Sequence, residues 1–172
     1  MIPVLAFDLA TVSGWAADGP NGRPVGGTFL CRSSDDENGE AYYELRRNMK
    51  DLIAVHGPKV IIYEAPLPVT TKGYIDVQST AKSIMKLQGF AAVCELVAYE
   101  AGVDCVMATP QEVRAYFCGT RHAGKDGVQA RLRQLGWTYT DNNHADAAAL
   151  WAYEKALIDP KWAPNLPTPL GL

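Results

Sequence analysis

Three acidic residues stand in apolar surroundings, where a carboxylate is unexpected. Asp8 ends the apolar run "VLAFD", Glu64 ends "VIIYE", and Asp146 lies in "NNHADAAALWA", just before a strongly apolar helical stretch. An ionised carboxylate in an apolar interior costs several kcal/mol unless a partner or a metal compensates it. Carboxylates that converge without a basic partner suit hard divalent cations, because Mg²⁺ takes oxygen ligands. Two such ions, about 3.5–4 Å apart, can stabilise the attacking water and the leaving oxygen in phosphodiester hydrolysis.

Each acid taken singly also has a structural explanation. An acid near a strand end can cap a neighbouring helix, and an Asp in the first turn of a helix offsets the helix macrodipole. The hypothesis of a metal site therefore requires that the three acids meet. Carboxylates at the ends of strands can converge with one at a helix N-terminus on the same edge of an α/β sheet.

The hydrophobic pattern predicts the elements that must position these acids. Apolar runs at 2–8, 14–17 and 24–31 predict strands, the last two separated by the turn-rich "DGPNGRP". From about Ala41, apolar residues recur at three- and four-residue spacing, which predicts a helix. The run "VIIYEAP" predicts a second buried strand, and the segment 75–102 predicts one long helix or two.

The later part of the chain continues the alternation of strands and helices. The run "VDCVMA" predicts a short strand, followed by a helix with Thr109 as its N-cap, Pro110 at the first helical position and Glu112 completing a capping box. A further helix, "DGVQARLRQLG", is stopped by Gly136, and the last helix is "NHADAAALWAYEKALI". A hairpin followed by such alternation predicts an α/β domain with antiparallel strands at one edge and parallel strands elsewhere.

Composition limits the possible classes of protein. The chain has 172 residues, 48% of them hydrophobic and 20% charged, which fits one globular domain. It shows no apolar run of about 18 residues and no signal-peptide pattern, so we expect a cytoplasmic protein without a membrane partner. The four scattered cysteines predict reduced thiols rather than a disulfide framework or a zinc site. Because the net charge is −3, any nucleic-acid site must use local positive charge.

The order of these motifs resembles a known family. "FDLATVSGWA", "IIYEAP" and the late "HADAAAL" are similar to the RNase H-like fold of RuvC-type Holliday-junction resolvases, particularly their phage-borne relatives. The intervening "P-x-E-V" and "GK-x-x-V" helices fit the same order, so the resemblance covers about residues 2–157. It implies a mixed five-stranded sheet flanked by helices, a nuclease domain over 1–158 and a proline-rich tail over 159–172.

The resemblance also implies a site and a cofactor. Asp8, Glu64 and Asp146 match the metal-binding and catalytic acids of the family, which would hold Mg²⁺ or Mn²⁺, as two ions. The family's fourth ligand, an Asp or a His, falls here on Asn143, which coordinates only weakly, with Asp141 or His144 as possible substitutes. His144 and Asp146 would point about 200° apart on a regular helix, so His144 fits only if the helix starts late.

Basic and aromatic residues near these acids are candidates for binding DNA. Lys125, which matches a basic position of the family, would contact the strand or stabilise charge as a fourth catalytic residue. Tyr74 could stack on an unpaired base at a branch point. The predicted DNA-binding residues are Lys72, Tyr74, Lys82, Lys86, Arg121 and Lys125. For any single lysine or for Tyr74, an ordinary solvated or packed side chain is an equally good account.

The function that the sequence favours is a metal-dependent endonuclease that cuts branched DNA, with a four-way junction as the favoured substrate. The resemblance implies a homodimer, for which the apolar helix "AAVCELVAYEA" is a candidate interface, although burial within one monomer explains it equally well. One alternative is a non-catalytic DNA-binding protein of the same fold, which the Asn at the fourth-ligand position supports. Another alternative is a nucleotide-binding domain of the actin and sugar-kinase superfamily. The segment "FDLATVSGWA" also resembles the first phosphate loop of that superfamily. That fold needs two such domains, and this chain supplies one.

Overall fold

The computed structural model describes residues 2–32, 38–66, 77–159 and 161–162, with side chains of the third range described from 81 onward. Within these residues, five strands and five α-helices form one α/β unit. The elements are β1 (Val4–Asp8), β2 (Val12–Asp18), β3 (Pro24–Leu30), α1 (Asn38–His56), β4 (Val60–Glu64), α2 (Val77–Ala101), β5 (Asp104–Ala108), α3 (Pro110–Cys118), α4 (Lys125–Leu135) and α5 (Asn142–Ile158).

The strands form a single mixed sheet in the order β3-β2-β1-β4-β5. β1, β2 and β3 pair antiparallel, whereas β4 pairs parallel with both β1 and β5. This arrangement confirms the predicted mixed five-stranded sheet. The parallel pairing brings the carboxyl ends of β1 and β4 to the same edge of the sheet, because parallel neighbours run in the same direction.

Each face of the sheet is covered by its own hydrophobic core, as the period-2 alternation of a strand requires. Along β1, Leu5 and Phe7 face α1 and α2, whereas Val4 and Ala6 face α5. All four side chains are almost completely buried. The near-continuous apolar run of β1 therefore reflects a strand that is covered by helices on both sides.

Helix α5 lies at the centre of one of these cores. It contacts β2, β1 and β3 on one side and α3 and α4 on the other. Its alanines allow the helix to approach the sheet closely, and residues 147–152 are all buried. Lys155 on this helix is fully buried and forms an ion pair with Asp18 at 2.5 Å, an interaction that the sequence analysis did not predict.

Several local predictions are confirmed. The N-terminus of α3 has the predicted capping box, in which Thr109 and Glu112 exchange hydrogen bonds. Gly136 ends α4 in the left-handed conformation, with φ of 65°. The segment 75–102, predicted as one helix or two, is a single helix from residue 77, and α1 begins before Ala41.

The core extends beyond the predicted domain boundary at residue 158. Trp162 is 4% exposed, and its ring centroid lies 5.1 Å from that of Trp151. Its indole N–H donates to the carbonyl of Gly22 at 3.2 Å. The start of the segment predicted as a tail therefore packs on the domain. Among the described residues, no helix is long and apolar enough to span a membrane.

Candidate active site

Two of the predicted acids occupy equivalent positions at the ends of neighbouring strands. Asp8 is the last residue of β1 and Glu64 is the last residue of β4, and the preceding residues Phe7 and Tyr63 pair in register. Their side chains line a cleft of about 190 Å³. The residues around this cleft are Asp8, Leu9, Glu64, Ala65, Pro66 and Leu87.

The N-terminus of α5 brings the third acid, Asp146, to the same edge. Gly14 of β2 makes this approach possible, because a Cβ atom at Gly14 would lie 1.9 Å from the carbonyl oxygen of Asn143. The side-chain amide of Asn143 also donates a hydrogen bond to the carbonyl of Val12 at 2.8 Å. Helix α5 is thus fixed against β2 close to its first turn.

Burial and mutual repulsion raise the pKa values of the three acids. Burial, together with the negative charges of Glu64 and Asp146, raises the pKa of Asp8 to about 8. Burial, followed by repulsion from Asp146, raises the pKa of Glu64 to about 7. The pKa of Asp146 is also raised, mainly by burial. The three carboxyl groups therefore form a mutually repelling cluster that favours either protonation or a bound cation.

Two basic residues face this cluster and partly offset its charge. Lys125 is the first residue of α4, and its positive charge lowers the pKa of all three acids. Arg114 of α3 acts in the same direction on the same three groups. Arg114 is not among the catalytic, metal-binding or DNA-binding residues predicted from the sequence. The feature of the sequence that could have indicated Arg114 is its position shortly after the capping box of α3, because that helix begins directly after β5.

The donor chemistry of the cluster fits a hard divalent cation, because it consists of carboxylate oxygens. Within residues 2–32, 38–66, 81–159 and 161–162, however, no three His, Cys, Asp or Glu side chains are grouped so that they could hold a metal ion. The backbone thus brings the acids to one edge, while the side chains of this conformation do not surround a common point.

The three candidates for a fourth ligand have other partners. Asp141 is the N-cap of α5, and its Oδ1 accepts a hydrogen bond from the backbone N–H of His144 at 2.9 Å. His144 is 5% exposed, its Nδ1 accepts from the backbone N–H of Thr140 at 3.1 Å, and burial lowers its pKa. Asn143 is tethered to Val12. These contacts give all three side chains structural roles, and their part in binding a metal stays a prediction.

The predicted DNA-binding residues lie in two places. Arg121 is exposed in the connection between α3 and α4, a few residues from Lys125. Lys82 is exposed on α2, whereas Lys86 is partly buried, with its Nζ 5.8 Å from the centroid of the Phe90 ring. Lys72 and Tyr74 lie outside the described residues.

Comparisons with known proteins place this geometry in context. No protein-family model matches the chain. The chain is 27% identical over 134 residues to the crossover junction endodeoxyribonuclease RuvC of Streptomyces griseus, an alignment that covers 76% of this chain. The structure of Thermus thermophilus RuvC matches with a TM-score of 0.69 and 19% identity, over 91% of this chain and 96% of that one. The chain has the RuvC fold.

Two further structures agree with this result. T. thermophilus RuvC in complex with a Holliday junction substrate matches with a TM-score of 0.70 at 17% identity, over 92% of this chain and 97% of that chain. The yeast mitochondrial Holliday junction resolvase Ydc2 matches with a TM-score of 0.62 at 10% identity, over 95% of this chain and 79% of that chain. The resemblance to RuvC-type resolvases predicted from the sequence is confirmed. This chain spans 61% of the length of the Streptomyces RuvC.

Proposed function

We propose that this protein is a metal-dependent endonuclease that cuts branched DNA, resolving four-way junctions by hydrolysing phosphodiesters in two opposed strands. The observation that carries the proposal is the convergence of Asp8, Glu64 and Asp146 at one edge of a RuvC-type sheet. Sequence similarity to a crossover junction endodeoxyribonuclease supports the reaction class. A nuclease of this kind would act in the cytoplasm. If a phage encodes the protein, this would be the cytoplasm of the bacterial host.

Asp8, Glu64 and Asp146 would hold Mg²⁺ or Mn²⁺, as two ions, together with oxygens of the substrate phosphate. The metal would supply an activated water and charge stabilisation for in-line attack on phosphorus. Because the pKa values of Asp8 and Glu64 are raised without a cation, their carboxylates have little other compensation. A cation is therefore the ligand that this cluster would gain most from binding.

We infer that Lys125 and Arg114 act on the phosphate rather than neutralise the acids permanently. Each is close enough to lower the pKa of all three carboxyl groups, yet the pKa values of Asp8 and Glu64 stay raised. Lys125 is exposed at the N-terminus of α4, where it can reach a bound strand. We assign to it the stabilisation of negative charge on the scissile phosphate.

The remaining DNA contacts would flank the acidic cleft. Arg121 extends the positive charge on the Lys125 side, and Lys82 and Lys86 supply it on α2, where Leu87 lines the cleft. Such contacts hold phosphates and carry little sequence information. Lys72 and Tyr74, which follow Glu64 in sequence, are proposed to reach the branch point, Tyr74 by stacking on a base.

A homodimer would match the two-fold symmetry of a four-way junction. On α2, Met85, Leu96 and Tyr99 expose 68%, 51% and 85% of their surface. Exposed apolar side chains on one helix favour a protein partner. We therefore propose α2 as the subunit interface, a proposal that sedimentation of the wild type and of Leu96→Glu would test.

Cleavage of labelled DNA tests the proposed function. A four-way junction, a fork, a flap and a linear duplex of matched sequence are incubated with Mg²⁺, Mn²⁺ or EDTA. We expect metal-dependent paired nicks near the junction centre and little cutting of the duplex. Equal cutting of fork, flap and junction would widen the activity to a general branched-DNA nuclease. Binding of the junction without cleavage under any metal would support the non-catalytic DNA-binding alternative.

A further inference from the structure

One pair of side-chain amides links α4 to the first turn of α5. The Nε2 of Gln129 on α4 donates a hydrogen bond to the Oδ1 of Asn142, the first residue of α5. Each of these helices carries a residue of the proposed site, Lys125 on α4 and Asp146 on α5. The chemistry proposed for the site uses neither amide, so the link needs a separate explanation.

The spacing along both helices places Lys125 and Asp146 one turn beyond this hydrogen bond. Lys125 precedes Gln129 by four residues, and Asp146 follows Asn142 by four, so the two members of each pair share one face of their helix. Residues 136–141 connect α4 to α5, and helices that pack together after so short a connection run antiparallel. In an antiparallel pair, a step back along α4 corresponds to a step forward along α5. Lys125 is therefore on the side of α4 that faces Asp146.

Asn142 is held in place by the residues on both sides of it in the chain. The preceding residue, Asp141, caps α5 by accepting a hydrogen bond from the backbone N–H of His144 at 2.9 Å. The following residue, Asn143, donates to the carbonyl of Val12 at 2.8 Å. The first turn of α5 is therefore fixed to the sheet, and a side chain bonded to Asn142 is positioned relative to that sheet.

The start of α4 has fewer constraints of this kind. Its N-cap, Gly124, makes no side-chain capping hydrogen bond, and Lys125 beside it is exposed. The Lys125 ammonium forms no ion pair within the described part of the chain, so its reach depends on where the first turn of α4 lies. The positive charge of Lys125 lowers the pKa of Asp146, in agreement with the register of the two helices.

The hydrogen bond supplies the direction that apolar packing of α4 on α5 lacks. Val128 and Leu132 of α4 are buried in the same core as α5, but apolar contacts tolerate small shifts along the helix axes, whereas a hydrogen bond does not. We propose that Gln129 is a positioning residue: its hydrogen bond to Asn142 sets the register of α4 on α5 and holds Lys125 beside the acids. This inference rests on the proposed function, and Gln129 acts in it through Lys125.

Single-turnover cleavage of a four-way junction in Mg²⁺ tests the proposal. Gln129→Leu removes the hydrogen bond and nearly keeps the size of the side chain, and we expect the rate at saturating protein to fall roughly tenfold. Junction affinity in EDTA should change less, because other basic residues also bind phosphates. Gln134→Leu is the control: it removes a hydrogen bond from Arg131 at 3.3 Å that lies within α4, and it should cleave at the wild-type rate.

A double-mutant cycle with Lys125 separates positioning from a general structural effect. In Lys125→Met, the further change Gln129→Leu should not slow cleavage, because no ammonium remains to be positioned. The exchange of the two side chains, Gln129→Asn with Asn142→Gln, keeps both amides and should restore much of the rate. Additive losses in the cycle, or wild-type cleavage by Gln129→Leu, would overturn the proposal.

A readout without DNA or metal separates the failure of this proposal from the failure of the proposed function. In NMR spectra of the free protein, we expect a nuclear Overhauser contact between the side-chain amides of Gln129 and Asn142, and we expect Gln134→Leu to keep it. Absence of this contact would overturn the proposal even if the wild type cleaves junctions. If the contact is present and the wild type cuts no branched DNA with Mg²⁺ or Mn²⁺, the proposed function fails, and the positioning role of Gln129 fails with it.

Discussion

Gly14 and Asn143 are in such close contact that no side chain fits between them. A Cβ atom at Gly14 would lie 1.9 Å from the carbonyl oxygen of Asn143 and 2.2 Å from its carbonyl carbon. The Asn143 side chain simultaneously donates to the backbone of Val12, two residues before Gly14. This contact fixes the start of α5 on β2 and thereby sets the position of Asp146 relative to Asp8.

Gly14→Ala should therefore displace α5 and disrupt the site. The added methyl group meets backbone atoms, which cannot rotate away, so we expect a loss of about 1–3 kcal/mol in the free energy of unfolding. Junction cleavage should fall roughly tenfold or more, because a small misplacement of a catalytic group is costly. Urea denaturation and single-turnover cleavage measure the two effects.

Gly39→Ala is the matched control for this substitution. A Cβ atom at Gly39 has no neighbour within 4 Å, and the residue lies in α1 away from the acids. Alanine there should keep or slightly raise stability, since glycine weakens a helix. Equal losses in the two variants would show that the contact between Gly14 and Asn143 does not position the site.

Asn143→Ala distinguishes a tether from a metal ligand. The structure shows the Asn143 amide bonded to Val12, so its removal should cost about 1 kcal/mol of stability. The Mg²⁺ concentration that gives half-maximal cleavage should change little, because the three acids remain. A large rise in that concentration, with unfolding unchanged, would instead identify Asn143 as a ligand.

Asp8→Asn should stabilise the metal-free protein at alkaline pH. The pKa of Asp8 is raised from 3.8 to about 8, so the folded state binds a proton more tightly than the unfolded state. Stability therefore falls as pH rises through this window, and the whole cost of ionised Asp8 is present above about pH 8. In EDTA, we expect the variant to exceed the wild type by up to about 5 kcal/mol near pH 8 and by little near pH 4.

The comparison of the two proteins at each pH removes the contribution of other titrating groups. Urea denaturation in EDTA gives the difference directly. A variant that is less stable than the wild type at both pH values would mean that Asp8 has a structural partner. The charge of Asp8 would then already be compensated within the protein, without a bound cation.

Lys155→Met should destabilise the fold strongly, because it leaves Asp18 without its buried partner. Asp18 Oδ1 lies 2.5 Å from the Lys155 ammonium group, and its Oδ2 accepts from the backbone of Val4 at 2.6 Å. Breaking a buried pair by removing one partner costs about 3–5 kcal/mol, and the partial exposure of Asp18 places the expected loss near the lower limit. Chemical denaturation measures it.

Arg46→Met provides the control on an exposed pair. Arg46 and Glu100 are 3.1 Å apart, with 42% and 35% of their side chains exposed. Exposed pairs contribute little, so this variant should unfold close to the wild type.

The double variant Lys155→Met with Asp18→Asn should recover part of the stability that Lys155→Met loses. No recovery would mean that Lys155 acts through packing against Trp151 instead of through charge.

The sequence predicted the sheet and the position of Asp8 and Glu64 at the strand ends, because both follow from local pattern. Apolar runs ending in Asp8 and Glu64 predict buried strands with acids at one edge, and the capping box at Thr109 defines the start of α3. These features depend on a few neighbouring residues. The hydrophobic pattern and the capping residues are therefore enough to predict these strands and the start of this helix.

Contacts between distant segments could not be predicted in the same way. The pairing of Lys155 with Asp18, the packing of Trp162 beside Gly22, and the approach of Arg114 to the acids depend on how elements meet in space. A lysine in a helix and a tryptophan beyond it resemble surface and tail residues in sequence. Their roles become clear only when the sheet brings the partners together.

The most direct test of the central claim is single-turnover cleavage of a four-way junction by the wild type and by Asp146→Asn in Mg²⁺. Circular dichroism and junction binding in EDTA are measured on the same samples. The proposed site predicts a folded variant that binds the junction normally and cleaves it at least about a hundredfold more slowly. Wild-type cleavage rates in a folded, binding-competent Asp146→Asn would contradict the claim that these three carboxylates form the active site.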